Sequence, residues 1–120
     1  MKIQTFQNGI LVEEREVEDF PVFPSWTGAK AGFFSNTGYQ RITSQTLNIL
    51  AVTRLENAVL DYAGGMEPTY PLFKAFWDAI IAGLAIAPTI EEINNWKAIA
   101  TNAHMKFTFA ADGTMILLEQ

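Results

Sequence analysis

His104 is the only histidine in a chain of 120 residues, and there is no cysteine. A lone imidazole does acid–base or nucleophilic chemistry only with an orienting partner or a nucleophile beside it. His104 stands where the last amphipathic stretch gives way to the last strand pattern, next to Met105. That position suits a helix-end histidine near the negative end of the helix dipole. The lack of Cys excludes disulfides, Cys-based zinc sites and a thiol nucleophile. At most one His or Cys ligand is left for a metal.

The carboxylates give no clearer chemistry. Glu91 and Glu92 are adjacent, so on a helix they point in different directions and serve to complement its N-terminus. Asp61 and Glu67 flank a glycine loop, and Asp78 falls on the polar edge of an apolar helix pattern. Gly28-Ala29-Lys30-Ala31-Gly32 lacks the Gly-Lys-Ser/Thr sequence of a phosphate loop. No basic patch interleaves with aromatic residues, so no nucleic-acid surface is expected. Trp26, Trp77 and Trp96 recur with other apolar residues at helical spacing and are assigned to the core. The expectation is a protein that is not an enzyme, with no catalytic residue, cofactor, metal site or evident small-molecule ligand.

These residues must be carried by a handful of elements. Lys2 to Gln7 and Ile10 to Val17 flank Asn8-Gly9, which predicts a β-hairpin on a type I′ turn. Ile3, Thr5, Ile10 and Val12 then share one face, and Phe6 and Leu11 take the other. Residues 20–25 (FPVFPS) read as a stiff connector, because Pro21 and Pro24 lack N–H groups and favour extended backbone. Ser25 is a candidate cap for a short helix carrying Trp26, Ala29, Phe33 and Phe34. Gly28 and Gly32, four apart, would allow close approach on one face. Asn36-Thr37-Gly38 breaks that pattern.

One helix is predicted from about Ser44 to Tyr62, with Leu47, Leu50, Ala51, Leu55, Ala58, Val59 and Tyr62 as its stripe. A split near Thr53, where Thr53 and Glu56 would make a capping box, is the less favoured reading. Gly64-Gly65 ends it. Pro71 looks like a first-turn proline, followed by Leu72, Phe73, Phe76, Trp77, Ile80, Ile81 and Leu84 on a wide apolar face. Thr89 and Glu92 form the best capping box in the chain, before Ile93, Trp96, Ile99 and Ala100. Lys106 to Ala110 alternates, Asp112-Gly113 is a turn pair, and Thr114 to Glu119 reads as a strand. The fold expected is α+β: N-terminal and C-terminal β-hairpins flank a bundle of about four helices. Its parts are an acidic hairpin (1–19), the connector (20–25), a helical middle (26–105) and a closing hairpin (106–120), all in one domain. Isolated hairpins are marginal in water, so the favoured arrangement puts both in one sheet.

Composition narrows the function further. The net charge is −5, from 13 acids and 8 bases, and five of the acids are Glu13, Glu14, Glu16, Glu18 and Asp19. An acidic chain of this kind is a poor ligand for phosphate backbones. Met1 to Gly9 has no apolar core of a signal peptide. The longest apolar run, Ala79 to Ala87, is too short to cross a membrane, which takes roughly 20 residues. A mean hydropathy of +0.11 is high for so small a domain and implies apolar groups left for a partner.

Pro24, Trp26 and Gly28, then Gly38-Tyr39-Gln40-Arg41-Ile42, then two amphipathic helices, a capped helix ending near Asn102 and a Phe-rich strand make up an order with a likeness. From about Pro24 onward it resembles small uncharacterised proteins of tailed bacteriophages, cyanophages included, and of prophages, often encoded beside tail-fibre and baseplate genes. The resemblance implies a structural role in the virion tail and carries over no functional residue. The partners expected on this basis are other phage structural proteins or a second copy, with no membrane or nucleic acid. The location expected is the virion tail, or the host cytoplasm during assembly. A tail-fibre assembly chaperone absent from the mature particle and a small host-directed regulatory binder are the alternatives. The interface residues expected are Phe6, Ile10 and Val12 in the first hairpin, and Phe107 and Phe109 in the last.

Overall fold

The computed structural model describes residues 23–118. The protein is mixed α+β and mostly helical, with five helices and one two-stranded antiparallel sheet among the described residues. The predicted N-terminal hairpin, with Phe6, Ile10 and Val12, lies outside them.

Helix α1 (Trp26–Phe34) begins where expected, with the Ser25 hydroxyl accepting the Gly28 N–H. Its buried side is Trp26, Ala29 and Phe33. Gly32 is there because Ile99 comes close: a Cβ built on it would lie 2.7 Å from Ile99 Cγ2.

Two corrections concern the middle of the chain. Asn36-Thr37-Gly38 starts a helix, α2 (Thr37–Gln45), which brings the total to five where the sequence suggested about four. Asn36 is its N-cap and accepts the Tyr39 N–H at 2.8 Å. The expected helix from Ser44 to Tyr62 is broken at 46–48, and α3 is Ile49–Ala63. The break is held by groups distant in sequence. Thr46 Oγ1 donates to the Ile80 carbonyl (2.8 Å), Leu47 N–H to the Gly83 carbonyl (3.0 Å) and Asn48 Nδ2 to the Ala79 carbonyl (2.5 Å). These bonds reinforce the C-terminal end of the helix over residues 70–82, where the Gly83 N–H also reaches the Ala79 and Ile80 carbonyls at 3.2 Å. No break occurs at Thr53, which lies inside α3.

Helix α4 (Tyr70–Ala82) has Pro71 in its first turn and ends at Gly83. It buries Phe73, Trp77 and Ile80, while Leu72 is exposed. Helix α5 (Ile90–Asn102) opens on the expected capping box. Thr89 Oγ1 accepts the Glu92 N–H, and the Glu92 carboxylate accepts the Thr89 N–H. It ends in a Schellman arrangement: Met105 N–H donates to the Ala100 carbonyl and His104 N–H to the Thr101 carbonyl. The left-handed residue this requires is His104, at φ 58°.

Strands β1 (Phe107–Phe109) and β2 (Met115–Leu117) pair as Phe107 with Leu117 and Phe109 with Met115. The turn between them is closed by the Gly113 N–H on the Ala110 carbonyl, with Gly113 at φ 91°. Asp112 keeps the expected Asp-Gly signal but does not itself adopt positive φ. The turn is therefore a longer one than a two-residue type I′ loop.

The core is largely aromatic. Trp26 meets Tyr62 and Phe73 edge to face, Phe107 touches Phe73 and Phe109, and Phe109 lies between Trp77 and Trp96. Both of the more deeply buried indoles have their N–H bonded. Trp77 Nε1 donates to the Gly113 carbonyl (2.8 Å), and Trp96 Nε1 to Asn36 Oδ1 (3.0 Å).

Candidate docking surface

Phe107 and Phe109, expected at an interface, are each 2% exposed. They face α1, α4 and α5 and form part of the core, so neither is open to a partner. Their alternation was read correctly. The side on which it lands was not, because a two-stranded sheet laid on helices turns its apolar face inward.

No group of three or more His, Asp or Glu side chains able to hold a metal occurs among the described residues. His104 is exposed, at the end of α5. Asp78 accepts from Lys74 Nζ and from the Met115 N–H and so fastens β2 to α4.

A polar depression lies between α2 and the start of α5, where Arg41, Gln45, Glu91 and Asn95 gather. Arg41 is already committed. Its Nε and Nη2 donate to the two Glu92 oxygens at 2.7 and 2.9 Å, and its Nη1 to Gln45 at 2.9 Å. The Arg41 hydrogen bond, aided by the Thr89 N–H, holds the Glu92 carboxyl below the usual carboxylate range. The same pair raises the Arg41 pKa. The charges cancel, so this depression offers no free cation to an anionic ligand. Tyr39, nearby, donates to Glu56 at 2.9 Å, and burial together with that bond pushes its pKa up. It is a neutral donor in a structural contact.

The α2–α3 corner is different. Thr46 and Asn48 both turn their side chains to the end of α4. The chain bends at Leu47 between them, and the Leu47 N–H is itself bonded to the Gly83 carbonyl, which leaves the Leu47 side chain on the outer side of the bend. Leu47 is therefore 85% exposed, followed by Ile49 at 71% and Leu50 at 61%. Leu47, Leu50, Ala51, Phe76 and Ala79 line one shallow apolar hollow with Arg54 at its edge. Ile86, exposed as well, follows Gly83 in the same region of the chain. Leu47 and Leu50 were legible as apolar and were assigned to the core stripe. Periodicity alone does not reveal that bonds to α4 turn them out.

A second hollow lies at the foot of α1, lined by Phe23, Trp26, Tyr62, Met66, Pro68 and Tyr70 among others, with a volume of about 400 Å³. Trp26 is 7% exposed, and its Nε1 has no hydrogen-bond partner. Tyr70 has its pKa raised by burial, and the Trp26 N–H works against that rise.

No protein-family model, curated protein or solved structure matches the chain.

Proposed function

We propose that this protein acts by docking onto another protein through Leu47, Ile49 and Leu50, as a non-enzymatic structural component of a phage tail, tail fibre or baseplate. The observation that carries the docking reading is the apolar α2–α3 corner: three large exposed apolar residues within four consecutive positions, beside a polar, hydrogen-bonded base. Each would gain on the order of 1–2 kcal/mol on leaving water, scaled from the 1.5–3 kcal/mol for full burial. The tail setting comes from the sequence resemblance. The neutralised Arg41–Glu92 pair and the structural roles of Asp78 and Tyr39 agree with a role outside catalysis.

The test is quantitative mass spectrometry of purified particles of the phage or prophage that encodes the chain. It compares the wild type with a Leu47→Asp/Leu50→Asp double variant. The wild type is expected at a fixed copy number relative to the major tail proteins. The variant should fold, since both side chains are exposed, and should be missing from particles. Absence of the wild-type chain from particles would overturn the structural role. Its capture on free fibre subunits would then favour an assembly chaperone.

A further inference from the structure

We propose that Lys74 and Asp78 together stand in for a neighbouring strand on the outer edge of β2, and that the edge they close would otherwise pair with the same edge of a second copy of this chain. The reasoning starts from the direction of the backbone groups. Ala110 N–H donates to the Thr114 carbonyl at 2.8 Å, and Leu118 N–H to the Lys106 carbonyl at 3.0 Å. With Phe109 opposite Met115, these bonds give the even-numbered residues the contacts inside the sheet. Met115 and Leu117 therefore turn their N–H and carbonyl away from β1. At Met115 both groups are taken by α4. Its N–H donates to Asp78 Oδ1 at 2.8 Å, and its carbonyl accepts from Lys74 Nζ at 2.8 Å. Lys74 Nζ also donates to Asp78 Oδ2, so one ion pair, a helical turn apart, supplies an acceptor and a donor to a single residue. A neighbouring strand would supply the same two groups from its backbone. The middle of a helix has none to give, because its own N–H and carbonyl groups bond to each other, and side chains take their place.

The edge closed in this way has the features of one that associates. Ile116 and Leu118 are each 44% exposed, and by alternation with the buried Met115 they share the outer face of the strand. Leu117, between them, presents the next outward N–H and carbonyl, and among the described residues no side chain is bonded to these. Open edges with apolar flanks add strands, and a charged side chain, Lys above all, is a common block. The same strand run antiparallel about a two-fold axis is its own complement, which makes a second copy the occupant that the open edge fits. The side chains of Lys74 and Asp78 are 38% and 28% exposed. An ion pair so near water adds little stability through its charges, so its main consequence is the pair of bonds to Met115. This edge is separate from the Leu47–Leu50 corner, and its failure would leave the docking reading intact.

Sedimentation velocity of the full chain over a range of concentrations tests this, with tryptophan fluorescence reporting the fold. Lys74→Ala/Asp78→Ala opens the edge and should self-associate about tenfold more tightly than the wild type, the gain of two backbone hydrogen bonds. Asp78→Asn weakens the ion pair but keeps an acceptor for the Met115 N–H, and should behave as the wild type. Adding Leu117→Pro to the double variant removes an outward N–H and no bond within the sheet, and should restore wild-type behaviour. Glu92→Ala, destabilised elsewhere with the edge closed, controls for association through a loosened fold. If the double variant does not fold, Asp78→Ala alone frees the Met115 N–H and should show a smaller increase of the same kind. The proposal is overturned if the folded, opened variant associates no more than the wild type or Glu92→Ala. It is also overturned if Asp78→Asn associates as strongly, or if Leu117→Pro leaves the association in place.

Discussion

Glu92 makes three contacts at once, and replacing it separates them. One oxygen closes the capping box on the Thr89 N–H at 2.9 Å, and both oxygens receive the Arg41 guanidinium. Glu92→Ala removes all three. Loss of its half of the cap costs about 0.5–1 kcal/mol. The ion pair is bidentate, and its side chains are 23% and 17% exposed, which places it near the upper end of the 0.2–1 kcal/mol range of surface pairs. The total is about 1.5–2 kcal/mol, or a fall in Tm of roughly 6–8 °C at about 4 °C per kcal/mol. Glu92→Gln keeps an acceptor for Thr89 and loses the charge, so it should cost about 1 kcal/mol. Urea unfolding followed by tryptophan fluorescence measures both, and a double-mutant cycle with Arg41→Met isolates the pair at about 1 kcal/mol. The pH dependence has a definite sign. The folded pKa of Glu92 is depressed, so its stabilisation is full above the unfolded carboxyl pKa of about 4.3 and is lost as pH falls through the folded value. The gap between wild type and Glu92→Gln should therefore close in acid. A coupling near zero, or a gap that widens as pH falls, would refute this account.

Two further substitutions test other joints. Asn36→Ala should cost about 2–3 kcal/mol in the same unfolding assay, because Asn36 Oδ1 both caps α2 and accepts the Trp96 indole N–H; a cost under 1 kcal/mol would contradict that double role. His104→Gly should stabilise the protein by about 1 kcal/mol, since glycine adopts the φ 58° of the α5 terminus without the Cβ penalty. A loss of stability there would show that the imidazole makes a contact worth more than the backbone strain.

The sequence made some elements plain and hid others for identifiable reasons. Ser25, Thr89-Glu92 and Asp112-Gly113 act on their near neighbours, and each marks the boundary it was expected to mark. The assignment of Trp26, Trp77 and Trp96 to the core also matches their burial. The break at 46–48 was hidden because Thr46 and Asn48 bond to carbonyls more than 30 residues away, and an apolar stripe runs through the break. Helix α2 was hidden because Asn-Thr-Gly is ordinary turn composition, and only the Tyr39 N–H on Asn36 shows it to be a cap. The exposure of the apolar corner was hidden by the same bonds, since Leu47 fits the helical period that the chain does not follow there. Trp26 was read as core alone, and no local pattern signals that its N–H lacks an acceptor.

The bonds from the α2–α3 corner to the end of α4 also bear on how the molecule opens. The carbonyls of Ala79, Ile80 and Gly83 are completed by Asn48, Thr46 and Leu47, so neither segment can loosen without exposing the other. A helix terminus usually frays alone. This one is stitched to a corner far along the chain, and the two should exchange their amide hydrogens as a single unit. A partner gripping Leu47 would then be holding the last turn of α4 as well, and its pull would reach Trp77 and Ile80 in the middle of the aromatic core without any rearrangement of the surface between them.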